Sequence, residues 1–117
     1  MSEGPEVRRG DVVIVRFDPA EGHEMKKTRP AVVVQNDVGN ANSSTTIVAS
    51  ATGTYRGYPF EVLVEASNSP FEKDSSVRLD QVRVVSIEKR VHSVLGSLDA
   101  TTMADVDEAL KLSLGLD

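Results

Sequence analysis

Apolar positions along this chain come in short runs, separated by polar stretches rich in turn residues. The run Val12–Phe17 predicts a first strand from about Gly10 to Phe17, stopped by Asp18-Pro19. A second strand is predicted at Ala31–Gln35. Asn36–Ser44 is turn-rich and reads as a loop with room for one short helical turn. Thr45–Ala51 predicts a third strand, and Thr52–Pro59, with two glycines and a proline, a further loop. In Phe60–Glu65 the pattern alternates, so Phe60, Val62 and Val64 are expected to face the core and Glu61 and Glu65 water. Ala66–Ser75 reads as a polar connector. Ser76–Leu79 and Gln81–Val85 read as two short strands broken near Asp80. Val91–Leu98 reads as the last strand, with Gly96 marking a bulge.

Helical spacing shows only near the end. Met103, Val106, Leu110 and Leu114 form one apolar stripe, Asp99 is placed to cap the helix start and Gly115 its end. Many short strands with one terminal helix predict a mainly β fold, a small curled antiparallel sheet or barrel. No repeat or linker divides the chain, so one domain over 1–117 is expected, with residues 1–8 as a loose polar arm.

The connection between the first two strands is longer than a hairpin needs. It holds Gly22-His23-Glu24-Met25-Lys26-Lys27-Thr28-Arg29-Pro30. Pro30 biases Arg29 towards an extended conformation. A guanidinium placed at a strand edge suits a planar anion, phosphate above all.

An ordered set of fragments runs through this region: Arg9-Gly10-Asp11-Val12-Val13, Phe17-Asp18-Pro19, Gly22-x-Glu24, Arg29-Pro30-Ala31-Val32-Val33-Val34 and Gln35-Asn36-Asp37. Further fragments continue it: Ile47–Thr52, Gly57-Tyr58-Pro59-Phe60-Glu61-Val62, Asp80-Gln81-Val82-Arg83 and Val106–Leu110. Together they resemble the MazF/PemK family over nearly the whole chain. The resemblance implies an SH3-like small barrel (MazF/CcdB-like), a homodimer, and the toxin of a type II toxin–antitoxin system. It implies a sequence-selective endoribonuclease that cuts single-stranded mRNA without metal or cofactor. The products would carry 2′,3′-cyclic phosphate and 5′-hydroxyl ends. It also implies a cognate MazE-like antitoxin whose flexible segment covers the groove. The alternative within the same fold is a non-catalytic toxin that poisons a protein such as gyrase.

Composition narrows the chemistry. Cysteine is absent and histidine occurs only at His23 and His92, so neither a thiolate nor a histidine zinc site is expected. RNA supplies its own nucleophile in the 2′-hydroxyl, so such a chain is suited to cutting it. Aromatic residues are few, which argues against stacking platforms of the RRM kind. No apolar run reaches membrane-spanning length and no signal region is evident, so a soluble cytoplasmic protein without membrane contact is expected. The net charge of −5 argues mildly against a nucleic-acid binder, but residues 88–117 carry three of the five excess negative charges.

Arg29 and Thr52 match the family's catalytic arginine and threonine. Arg29 is suited to clamping non-bridging phosphate oxygens; its alternative is a structural ion pair with Glu24 or Asp18. Thr52 has a hydroxyl that donates to phosphate, although threonine is also common at strand ends. The candidate RNA-binding residues are Glu24 and Lys27 in the long connection, Asn36 and Gln81 for base edges, and Tyr58 for stacking. Turn capping is the alternative for Asn36 and an exposed strand position for Gln81. His23 is the obvious general base of the loop, but the family motif does not require it.

Overall fold

The computed structural model describes residues 4–18 and 27–116. It contains strands β1 (Asp11–Asp18), β2 (Lys27–Val33), β3 (Thr45–Thr52), β4 (Glu61–Val64), β5 (Ser75–Ser86) and β6 (Val91–Ser97). Helices α1 (Asp37–Asn42), α2 (Ile87–Arg90) and α3 (Ala100–Leu114) complete it, with a 3₁₀ turn at Ala66–Asn68. The strands form one antiparallel sheet in the order β4-β5-β3-β2-β1-β6. Among the described residues β4 and β6 do not pair with each other, so the expected barrel is an open, curled sheet.

The apolar runs are nearly continuous because both faces of the central strands are buried. Val12, Val32, Ala49, Val77 and Leu79 face one core, which α3 closes with Val106 and Ala109. Val13, Val15, Ala31, Val33 and Val48 face a second core, closed by Val85, Ile87, Val91 and Val7. Val7 lies in the segment expected as a loose arm, so the packed chain begins before β1.

Several fragments of the family pattern are fold-holding knots. Arg9 donates through Nε to the Val34 carbonyl and through Nη2 to Asp107, both at 2.8 Å, joining the start of β1 to α3. The buried Asp11 accepts from the Arg8 amide at 2.9 Å and from Ser97 Oγ at 2.7 Å. Gln35 Nε2 donates to Asn40 Oδ1 at 3.0 Å and to the Thr45 carbonyl at 2.9 Å, seating α1 beside β3.

Four expectations are corrected. β2 begins at Lys27, four residues before Ala31, so Arg29 and Pro30 belong to the strand itself. Pro30 is tolerated because this part of β2 pairs with β1 alone; β3 joins only at Ala31. β5 is one strand, not two: Ser50 pairs with Arg78 and Ala49 with Val82, so Leu79, Asp80 and Gln81 form a bulge where the break was expected. Glu61 does not face water but is 6% exposed. With β5 between β3 and β4, the loop 53–60 has to cross β5, and it covers that face: Glu61 Oε1 accepts from the amides of Arg56 at 2.9 Å and Gly57 at 3.1 Å. In α3, Leu114 is exposed and Ala109 takes its place in the buried stripe. The turn at Ile87–Arg90, capped by Ser86, was not anticipated.

Candidate nucleic-acid cleavage site

β2 and β3 pair from Val33–Val48 to Ala31–Ser50 and then separate. Beyond that point a groove of about 440 Å³ opens. Ile14, Pro30, Ala51, Phe71 and Leu95 form its apolar floor, and the cations Arg29 and Lys73, the acids Glu72 and Asp74, and Thr52 line it. The size suits a small ligand or one or two units of a polymer.

Arg29 and Thr52 therefore meet at one groove although 22 positions separate them in the chain. Continuing the Ala31–Ser50 register by two residues puts them opposite each other. Arg29 is exposed, and among the described residues no hydrogen bond or ion pair engages its guanidinium. Thr52 is half-buried, and its Oγ1 donates to the Thr54 carbonyl at 3.3 Å, a long and weak contact. Among the described residues, neither group is held by a strong partner.

Lys73 was not singled out in the sequence. It sits in the connector before β5, between the buried anchor Phe71 and the strand start at Ser75. Ser75 Oγ donates to the Lys73 carbonyl at 2.8 Å, and Asp74 Oδ1 accepts from the Ala66 amide at 2.8 Å. The lysine is thereby held at the groove wall. The signal was a lone phenylalanine in a polar stretch, which marks a buried pin.

Asn36, Gln81 and Tyr58 do not line the groove. Asn36 caps α1, its Oδ1 accepting from the Gly39 amide at 2.7 Å, at the end of β2 remote from Arg29. Its capping alternative describes what the side chain does. Gln81 is exposed in the β5 bulge and does not line the groove. Tyr58 is 49% exposed and stacks on Phe60, with centroids 5.1 Å apart and rings 10° from parallel. The Arg78 guanidinium lies 5.6 Å from the Phe60 centroid and forks onto Asp80 at 2.7 and 2.9 Å. The Arg78 hydrogen bond holds the Asp80 carboxyl below its ordinary value. Lys27 is the first residue of β2. Glu24 and His23 lie outside the described residues, as does the expected long connection.

Among the described residues no group of three His, Asp or Glu side chains is close enough to share a metal ion. No described helix is long and apolar enough to cross a membrane.

The open sheet with its terminal helix, and the groove where β2 and β3 part, set the frame for comparison with known proteins. The chain belongs to the PemK-like, MazF-like toxins of type II toxin–antitoxin systems, whose family model matches residues 8–114. It is similar to an endoribonuclease from a mycobacterial species, at 25% identity and a TM-score of 0.77 over 97% of this chain and 95% of that one. It is similar to MazF from Deinococcus radiodurans, at 26% identity and a TM-score of 0.75 over 96% and 99%. A chain of a MazE–MazF structure from the same organism matches at 25% identity and a TM-score of 0.78 over 97% and 99%.

Proposed function

We propose that this toxin is a metal-independent endoribonuclease that cuts single-stranded mRNA at selected sequences, with Arg29 and Thr52 at its reacting phosphate. The observation that carries the reading is their convergence on one groove, where among the described residues Arg29 has no hydrogen-bond or ion-pair partner and Thr52 only a long one. Family membership and the relatives described as endoribonucleases support it.

The 2′-hydroxyl oxygen attacks the adjacent phosphorus, and the bond to the 5′-oxygen breaks. The 2′ proton passes to solvent water, a water proton reaches the departing 5′-oxygen, and a 2′,3′-cyclic phosphate remains. Negative charge builds on the non-bridging oxygens. Arg29 neutralises it with a planar fork of donors, and Thr52 adds a hydroxyl donor from the facing strand. Tyr58 lies off the groove and has one face on Phe60, which leaves its other face for a base further along the RNA. Arginine is a poor general base because its pKa is far above neutral, so its role is electrostatic. No cofactor takes part.

A MazE-like antitoxin is the natural partner, since a MazE–MazF structure is among the similar ones. A flexible antitoxin segment that folds on binding would cover the groove. The chain acts in the cytoplasm as a homodimer, and sedimentation equilibrium at micromolar protein should give twice the chain mass.

The test is incubation with a long single-stranded RNA in EDTA. Cleavage should persist and leave 5′-hydroxyl ends. Loss of activity on chelation, or equal cutting of DNA, contradicts the mechanism.

A further inference from the structure

Ser76 stands on β5 directly opposite Thr52 on β3. Residues directly opposed across an antiparallel pair project to the same face, with Cβ atoms about 4.5–5.5 Å apart. Ser76 is 0% exposed, and its Oγ has no hydrogen-bond partner. The other buried hydroxyls behave differently. Thr46 Oγ1 donates to Asn40 Oδ1 at 2.6 Å, and Ser75 Oγ donates to the Lys73 carbonyl at 2.8 Å. A buried hydroxyl left unpaired is destabilising relative to a methyl group, and a β-branched residue would suit the strand better. Something other than stability is served by a serine here.

Thr52 is its natural partner. Among the described residues the one hydrogen bond of its side chain is the 3.3 Å contact with the Thr54 carbonyl. A threonine hydroxyl has one hydrogen to donate and lone pairs with which to accept. When that hydrogen is given to a phosphate oxygen, the lone pairs are left for a second donor.

We propose that Ser76 is a positioning residue for Thr52. On substrate binding the Thr52 hydroxyl leaves the Thr54 carbonyl and donates to a non-bridging phosphate oxygen, while Ser76 Oγ–H donates to Thr52 Oγ1. The relay fixes the direction of the Thr52 hydroxyl, and donor chains of this kind strengthen the terminal bond. The row Ser76, Thr52, Arg29 then spans three adjacent strands of the sheet. This rests on the role given to Thr52 above.

The test compares wild type, Ser76→Ala, Thr52→Ala and the double variant. The readouts are single-turnover cleavage at saturating RNA, affinity for an RNA carrying a 2′-deoxy nucleotide at the cut site, and the melting temperature. Ser76→Ala should melt at or above wild type and bind the deoxy RNA within about twofold. It should cleave about three- to tenfold more slowly, the worth of one neutral hydrogen bond. The double variant should be no slower than Thr52→Ala. Wild-type cleavage by Ser76→Ala overturns the inference while leaving the nuclease reading intact. So does a parallel fall in melting temperature, affinity and rate, which would mark Ser76 as a packing residue. Full activity of Thr52→Ala overturns the role of Thr52 and this inference with it.

Discussion

Arg29 and Thr52 face each other across a strand pair that has just come apart. Ala31 and Ser50 are the last partners on β2 and β3, and the next positions on the same face are these two. Their strands remain fixed from behind, Arg29 by pairing with Val15 on β1 and Thr52 by pairing with Ser76 on β5. Both side chains are therefore carried on rigid backbone while the space between them stays open. This is what a site that stabilises transient charge requires, because donors already in place need no reorganisation as the reaction proceeds.

Lys73 lines the same groove between Glu72 and Asp74, and on the proposed reading it meets a phosphate next to the one that is cut. Lys73→Met should weaken binding of deoxy-substituted RNA several-fold, equally for all sequences. It should also lower the slope of log affinity against log salt by about 0.7, the value for one contact on a single strand. Titrations at several salt concentrations measure both. An unchanged slope removes Lys73 from the RNA path.

Asn36→Ala should cost about 1 kcal/mol of stability, the usual worth of a helix cap. Cleavage-site preference should stay as in wild type, because the side chain serves α1. Denaturant unfolding and mapping of cut sites decide it; a changed preference would return Asn36 to base reading.

Acid should destabilise the fold through capping and pairing carboxylates. The Arg9 amide, above all, and the Asn40 side chain hold Asp37 below its ordinary value of 3.8. The Thr102 hydrogen bonds do the same for Asp99. A group with a depressed folded pKa contributes its stability in full above the unfolded value and loses it as pH falls through the folded one. Melting temperature should therefore be insensitive to these groups above about pH 5 and fall below about pH 4. Asp37→Asn should reduce that fall. A melting temperature that rises into acid would contradict the assignment.

Much of this fold was legible because apolar runs, Gly and Pro mark strands and turns locally. The start of β1, the cap at Asp99 and the αL glycine Gly115 all follow from local rules. What escaped depends on neighbours distant in the chain. Glu61 reads as a solvent-facing residue until loop 53–60 is known to lie across it. Asp80 reads as a break because the sequence does not reveal that β5 bulges against β3. In the candidate site, Thr52 is singled out only by the family pattern, and Arg29 by that pattern together with its place before Pro30. Lys73 and Ser76 were invisible for the opposite reason. Each acquires meaning only from the strand or groove it faces.

The central claim is that the Arg29 fork stabilises the charge on phosphorus. The most direct measurement is the single-turnover cleavage rate of Arg29→Lys in EDTA, beside Arg29→Ala and with a melting curve for each. Lysine keeps the charge but lacks the planar pair of donors. Both variants should melt with wild type and bind deoxy-substituted RNA comparably, yet cleave on the order of a hundredfold or more slowly, as when an oxyanion donor is removed. A fully active Arg29→Lys would show that charge alone suffices and would contradict the account.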